Sequence, residues 1–183
     1  MKMKIFFAAI LVSGLLFTTG CSKIKSLLDV KFDANYPVNI NITVPALGSI
    51  EAVQGSFSES VTIDPTSNSD VSKYLNLIKS WHVTELTGTF KNVSKVAVLK
   101  NGTISFSSTA DSASWTFTNV PIQNGGTFTM DNANGQWTEL DKVLSSKKPF
   151  TVTVSGTTDK DDFTFTMSVE IQSTVTANPL GSK

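Results

Sequence analysis

The chain has 183 residues, of which 40% are hydrophobic and 16% are charged, and its 15 acidic side chains are balanced by 15 lysines. That length suits one domain with a buried core. Arginine is absent from the sequence. Because bidentate contacts to phosphate and guanine rely on arginine, nucleic acid is not an expected partner. A single histidine and a single cysteine are too few for a transition-metal site, so no cofactor is expected.

The first 20 residues have the layout of a secretory signal peptide. Two lysines precede an apolar run at residues 5–17, and Thr18, Thr19 and Gly20 are small. A basic start, an apolar core of about 7–15 residues and small residues before a cleavage point define such a signal. The run is shorter than the about 20 residues that a membrane-spanning helix needs. The sequence therefore predicts export, with residues 1–20 as the signal peptide.

The segment at 17–21 resembles the signal of bacterial lipoproteins, because a small residue directly precedes Cys21. In that family the cysteine thiol receives a diacylglyceryl group, and cleavage makes the cysteine the first residue. Thr18 stands where the family usually has Leu. Ser22 rather than Asp follows the cysteine, which in Gram-negative members implies the outer membrane. The resemblance implies a lipid anchor on Cys21 and a tether at 21–27, in either leaflet. The alternative, ordinary cleavage, leaves a free thiol that needs another explanation.

A long alternation of apolar and polar residues follows the tether. Every even position from Leu28 to Val44 is apolar, which is a strong strand signal. Pro37 lacks an N–H group and belongs at an edge or a bend. The pattern predicts strands at 28–36 and 38–44, which either continue in one sheet or cross from one sheet to the other. Another strand is predicted at 57–63.

Two short helices are predicted. Ser67-x-x-Asp70 fits a capping box, and the apolar residues that follow recur at helical spacing, which predicts a helix over 70–80 covering an open end or edge of a sheet. His82 lies at its exit. The apolar spacing from Trp137 to Leu144 predicts the second helix.

The remaining segments predict an all-β domain. Strands are expected at 83–90, 96–107, 115–120 and 128–130, and Asn101-Gly102 either turns a hairpin or lies inside one longer, bulged strand. Residues 150–154 and 163–171 alternate on both sides of a turn, which predicts an antiparallel hairpin. Seven to nine strands with one apolar face each indicate an antiparallel β-sandwich of immunoglobulin-like character with two short helices. The domain spans 28–177, and 178–183 form a polar tail.

One acidic turn is a weak metal-site candidate. Asp159, Asp161 and Asp162 lie close in sequence, and Ca²⁺ binds carboxylate oxygens. Their spacing matches no complete calcium loop, and polar turns are commonly acidic. The favoured interpretation is a solvated turn, so no metal site is predicted.

Three tryptophans are weak ligand-binding candidates. Trp81, Trp115 and Trp137 can offer flat ring faces to sugars, but each falls in an apolar phase that favours core packing. His82 is the only base for a Ser-His-Asp arrangement, and a structural role is favoured for it. The sequence places no pair of acids together for glycoside hydrolysis.

The missing catalytic inventory points to a protein that is not an enzyme. The layout also resembles β-sandwich lipoproteins of Gram-negative envelopes. The leading hypothesis is a membrane-anchored lipoprotein of the cell outer membrane that binds or assembles with a protein or glycan partner. The alternative is a carrier of an apolar ligand such as lipid, which requires an internal cavity of about 300 Å³ or more. A weaker alternative is a carboxylate-based, glycosidase-like enzyme.

Overall fold

The computed structural model describes residues 29–48 and 54–180. Eight strands and two short α-helices alternate with 3-10 turns and loops. The strands are β1 (Val30–Val44), β2 (Ser56–Ile63), β3 (Ile78–Lys91), β4 (Ala97–Ser107), β5 (Ser112–Ile122), β6 (Thr127–Thr129), β7 (Phe150–Thr158) and β8 (Phe163–Ala177). The helices are α1 (Ser69–Tyr74), between 3-10 turns at Pro65–Ser67 and Leu75–Leu77, and α2 (Gln136–Ser145).

The strands form two four-stranded antiparallel sheets. Sheet one has the order β1-β8-β3-β6, and sheet two has the order β2-β7-β4-β5. Except for the β4–β5 hairpin, every connection between successive strands passes from one sheet to the other. The predicted antiparallel sandwich with two short helices is confirmed, with eight strands. Its eight-stranded order is that of a jelly roll, which differs from the strand order of the immunoglobulin fold.

The predicted hairpin at the C-terminal end is wrong. β7 lies in sheet two and pairs with β2 and β4, whereas β8 lies in sheet one between β1 and β3. The turn between β7 and β8 therefore crosses the end of the sandwich. Alternation gives each strand one inward face in either arrangement, so it does not distinguish a hairpin from a crossing.

β1 is one continuous edge strand. All fifteen of its residues pair with β8, from Val30 opposite Ala177 to Val44 opposite Phe163. Pro37 lies at the sheet edge, as expected, and does not divide the strand. Inside the sandwich, the Tyr36 hydroxyl donates to the Pro65 carbonyl at 3.0 Å. Burial, with a smaller effect of the Asp64 charge, raises the pKa of Tyr36 above its ordinary range.

The longer, bulged strand is the correct alternative for Asn101-Gly102. β4 runs through both residues, and its register against β7 shifts between Leu99 and Asn101. Gly102 lies opposite Gly156 on β7. A Cβ at Gly102 would lie 2.5 Å from the Leu99 side chain, and one at Gly156 would lie 2.6 Å from the Asn101 carbonyl oxygen. These two glycines therefore allow a close approach at the bulge.

The first helix is shorter than predicted. Asn68, not Ser67, is its N-cap, because the Asn68 Oδ1 accepts from the N–H groups of Asp70 and Val71. The helix ends at Tyr74, and β3 begins at Ile78. The register shift that follows Ile78 lets residues three apart, Ile78 and Trp81, both face inward, which imitates helical spacing. Val71 is fully buried beside β1, so the helix covers a sheet edge as expected.

The predicted second helix is confirmed as α2, which covers the free edge of β3. The short β6 pairs only with Thr87–Thr89, so the first half of β3 lacks a strand partner there. Asp141 Oδ1 accepts from the Val83 N–H at 2.7 Å, and Lys147 Nζ donates to the Ile78 carbonyl at 3.1 Å. Side chains from the helix region thus take the place of a strand and protect an edge, which would otherwise be open to pairing with another chain.

The core between the sheets is built from large buried side chains. Its largest fully buried side chains include Phe90, Phe106 and Phe150. A cavity of about 10 Å³ remains beside Leu99 and Phe117, which is about the space that one water molecule needs.

Candidate functional site

The proposed lipid attachment site lies outside the described residues, since Cys21 precedes residue 29. Within residues 29–48 and 54–180, no helix is long and apolar enough to cross a membrane. The first described residue, Asp29, lies next to the start of β1, and its carboxylate accepts a hydrogen bond from Lys79 Nζ at 2.8 Å. The described chain therefore starts at the end of sheet one where β1 begins.

The three tryptophans brace the fold. Trp81 and Trp115 are each only 4% exposed, and their Nε1 groups donate to Ser173 Oγ at 2.9 Å and to the Asp131 carbonyl at 2.7 Å. Trp137 is half-buried and donates to the Met130 carbonyl at 2.9 Å. The ring faces of Trp81 and Trp115 thus lie in the core, as their apolar phase predicted, and are closed to a sugar.

The acidic turn is tied to its neighbours by hydrogen bonds. Asp159 Oδ1 accepts from the Val98 N–H at 2.6 Å, and Asp161 Oδ2 accepts from the Leu47 N–H at 2.8 Å. Asp162 is exposed and adopts a positive φ of 52°. In the part of the chain that the structure describes, no group of three or more His, Cys, Asp or Glu side chains is placed to hold a metal ion. The structure therefore does not bring these three carboxylates together as a calcium site.

His82 forms a surface pair with Asp141. The His82 Nδ1 lies 3.4 Å from Asp141 Oδ2, and the imidazole is 72% exposed while the carboxylate is 21% exposed. The other oxygen of Asp141 binds the Val83 N–H. Among the described residues, no serine or threonine hydroxyl is hydrogen-bonded to this imidazole, so the pair lacks the nucleophile of a Ser-His-Asp arrangement.

The outer face of sheet one has mixed charge, and we call it the mixed face. It carries Lys31, Asp33, Glu85, Lys91 and Glu170 on β1, β8 and β3, with polar side chains between them. An open groove of about 200 Å³ lies at its far end. Its polar side chains bind one another, since Asn92 Nδ2 donates to Thr166 Oγ1 at 3.3 Å, which donates to Asn41 Oδ1 at 3.0 Å.

The outer face of sheet two is uncharged and carries hydroxyl groups at fifteen of its sixteen paired positions. We call these sixteen residues the hydroxyl face. Its four rungs, read from β2 across β7 and β4 to β5, are Ser56, Thr157, Asn101 and Thr118; Ser58, Ser155, Thr103 and Thr116; Ser60, Thr153, Ser105 and Ser114; and Thr62, Thr151, Ser107 and Ser112.

The hydroxyl face is a regular, accessible array. None of its sixteen residues is buried, and all eight on the outer strands β2 and β5 are exposed. Neighbouring strands lie about 4.8 Å apart and alternate residues on a strand about 6.7 Å apart, so the array covers roughly 15 by 20 Å. Charged residues appear at its borders, with Lys100 at the bulge and Asp111 just before β5.

Sequence reasoning did not identify this face. Serine and threonine recur at every second position in residues 56–62, 103–107, 112–118 and 151–157, a pattern that is typical of any solvated strand. Their assembly into one face depends on the order β2-β7-β4-β5, which the period of a single strand does not contain.

No protein-family model and no curated protein matches the chain. Among solved structures, the decameric BFDV capsid protein is 10% identical over 80% of this chain and 99% of that chain, with a TM-score of 0.40. A candidate secreted protein from Parabacteroides distasonis ATCC 8503 is 14% identical over 76% of this chain, with a TM-score of 0.40, and this chain spans about half of its length, 49%. Turnip yellow mosaic virus is 8% identical over 84% of this chain and 85% of that chain, with a TM-score of 0.30. Likenesses this distant carry no argument about function.

Proposed function

We propose that the chain is a non-catalytic envelope lipoprotein, held to the outer membrane through lipid on Cys21, whose β-sandwich binds a protein or glycan partner at its surface. The observation that supports a non-catalytic domain is the structural role of three carboxylates. Asp141, Asp159 and Asp161 each accept a hydrogen bond from a backbone N–H of another segment, at 2.6 to 2.8 Å. Acids bound in this way stabilise the fold, which favours a structural role for these three side chains.

The anchor would hold the sandwich close to the membrane. Asp29 lies eight residues after Cys21, and a chain of that length reaches at most about 29 Å. Two or more acyl chains hold a protein stably at a bilayer, since each buried methylene contributes about 0.8 kcal/mol. A module on such a tether presents its outer sheet faces to partners near the envelope surface.

The carrier of an apolar ligand is the second candidate, and it requires an internal cavity. The cavity between the sheets is about 10 Å³, whereas ligand pockets begin near about 300 Å³. A fatty acid that co-purifies with the mature protein and raises its melting temperature would favour the carrier instead.

Anchoring is tested by intact mass and membrane fractionation of wild type beside Cys21→Ala, with Ser22→Ala as the matched control. We expect acyl mass on the wild type and on Ser22→Ala, and both in the membrane fraction. Cys21→Ala should lose the acyl mass and leave the membrane. An unacylated wild-type chain in the soluble fraction would contradict the anchor and leave a free exported domain.

The non-catalytic role is tested separately with a panel of glycan substrates. We expect the mature wild-type protein to release no product. Hydrolysis that is abolished by substitution of a single carboxylate, for example Glu59→Gln, would replace the binding role with the glycosidase-like alternative.

A further inference from the structure

We propose that the hydroxyl face of sheet two is a docking surface for a neutral, extended polysaccharide. This inference rests on the proposed binding role and names both the surface and the chemical class of the partner. It starts from the composition of the array, in which sixteen paired positions on four strands include no charged, no aromatic and no aliphatic side chain.

That composition argues against the other common partners. Protein interfaces depend on buried aromatic and arginine anchors with a partly apolar core, and this face has neither. Anionic lipids and nucleic acids attract clusters of basic side chains, whereas the sixteen positions of the array include no lysine and Lys100 stands at its border. A partner without charge and without large apolar groups is the one that the face complements.

The hydroxyl groups supply matching hydrogen-bond chemistry. Each Ser or Thr hydroxyl can donate one hydrogen bond and accept others, as can each hydroxyl of a sugar. In the described part of the chain, Thr62 and Thr151 are the only two of the sixteen side chains with a hydrogen bond to another side chain, at 3.4 Å. The other hydroxyls are therefore available to a ligand.

The geometry favours an extended partner over a single sugar. One hydrogen bond contributes only about 0.5–1.5 kcal/mol net, so useful affinity requires many bonds in parallel. The array is flat, regular and set on four paired strands, and the β-branched threonines have few rotamers to lose. Such preorganisation lowers the entropic cost of binding for a polymer that lies across several rungs.

The mixed face provides an internal control. It is built from the same kind of long, paired strands and is also rich in Thr, Ser and Asn, yet it carries five charged residues. Thr153 on β7 and Thr174 on β8 are matched positions, because each is a half-buried threonine on an inner strand of its sheet. Thr174 lies beside Asp33, with 3.4 Å between Thr174 Oγ1 and Asp33 Oδ1, so a lysine is readily accommodated there.

The test is a sedimentation assay of the mature protein with insoluble cellulose, chitin and β-1,3-glucan, and with polygalacturonate as the charged counterpart. We expect wild type to bind at least one neutral polymer and to keep binding at 1 M salt, because neutral partners are not screened. Thr153→Lys should weaken binding by about tenfold or more, which corresponds to about 1.4 kcal/mol. Thr174→Lys should bind the same polymer within about twofold of wild type. Both variants should unfold cooperatively on heating, as wild type does.

Equal binding by wild type and Thr153→Lys would overturn the inference. Loss of binding in Thr174→Lys alone would place the site on the mixed face, so the proposed binding role would stand while this inference failed. Capture of a protein partner without any binding to neutral polymers would likewise support the proposed binding role and overturn this inference. Inhibition of ice recrystallisation that is lost in Thr153→Lys, without binding to polysaccharide, would assign the face to ice and also overturn the inference.

Discussion

The strands of both sheets alternate inward and outward residues, but the two sheets differ in strand length and in their outward residues. Sheet one contains the three longest strands, of 14 or 15 residues, and its first half of β3 is protected by α2. Sheet two contains shorter strands and turns an uncharged array of hydroxyl groups outward. In both sheets, every second residue enters the core. The outward residues differ between the two sheets, because they are free of the packing constraints of the core.

The inner faces also differ. In sheet one a buried chain of hydrogen bonds joins three strands, because Trp81 Nε1 donates to Ser173 Oγ at 2.9 Å and Ser173 Oγ donates to the Ala34 carbonyl at 2.6 Å. In sheet two the corresponding special feature is the close approach of Gly102 and Gly156 at the bulge.

The largest expected effect is the loss of Trp81. Trp81→Ala should lower the free energy of unfolding by about 3–5 kcal/mol, since it opens a cavity and leaves Ser173 without its donor. Trp137→Ala, which removes a half-buried ring, should cost less. Urea denaturation of both variants measures the difference, and a cost for Trp81→Ala no greater than for Trp137→Ala would contradict the role given to sheet one.

Substitution in the glycine pair of sheet two, Gly102 and Gly156, should cause the next largest loss of stability. Gly156→Ala should cost about 1–3 kcal/mol, because overpacking forces neighbouring groups to move and the nearest atom is the fixed backbone oxygen of Asn101. Gly88→Ala in sheet one meets the ring of the half-buried Phe128, which has more freedom to shift. Thermal unfolding should therefore rank Gly156→Ala as the more damaging, and the reverse order would show that the bulge adapts.

Loss of the edge protection in sheet one should lower the free energy of unfolding by a comparable or smaller amount. Asp141→Ala leaves the N–H of the buried Val83 without its acceptor, which costs about 1–3 kcal/mol. Asp141→Asn keeps an acceptor oxygen and should cost less. His82→Ala should change stability by less than about 0.5 kcal/mol because the imidazole is largely exposed. If denaturant titration finds His82→Ala as costly as Asp141→Ala, the surface pair has a role beyond edge protection.

The smallest effect concerns pH and the turn beside β1. Hydrogen bonds from the Thr66 hydroxyl and the Thr66 N–H hold the pKa of Asp64 below its ordinary value. A lowered pKa contributes stability that is present above the unfolded-state pKa of about 3.9 and is lost as pH falls through the folded-state value. Thr66→Ala should therefore lose slightly less stability than wild type as the pH falls. A melting-temperature series from pH 7 to pH 2 checks it, and identical profiles for the variant and wild type would contradict the assignment.

The period of two predicted most of the strands because each has one face in the core. It located the end of β1 before Pro45 and the end of β2 before Asp64-Pro65. It failed at the start of β3, where a register shift after Ile78 gave buried residues a helical spacing. It also failed to separate β7 and β8 into different sheets. The period of two did not predict the hydroxyl face for the same reason, since Thr153 and Ser105 become neighbours only through strand order.

The pairing of β1 with β8 has a mechanical consequence. β1 is joined to β8 along all fifteen of its residues. A pull applied to the start of β1 along the strand axis would load these rungs in shear together, so no single rung would open first. If the proposed anchor on Cys21 transmits such a force, it acts on the longest ladder of the jelly roll.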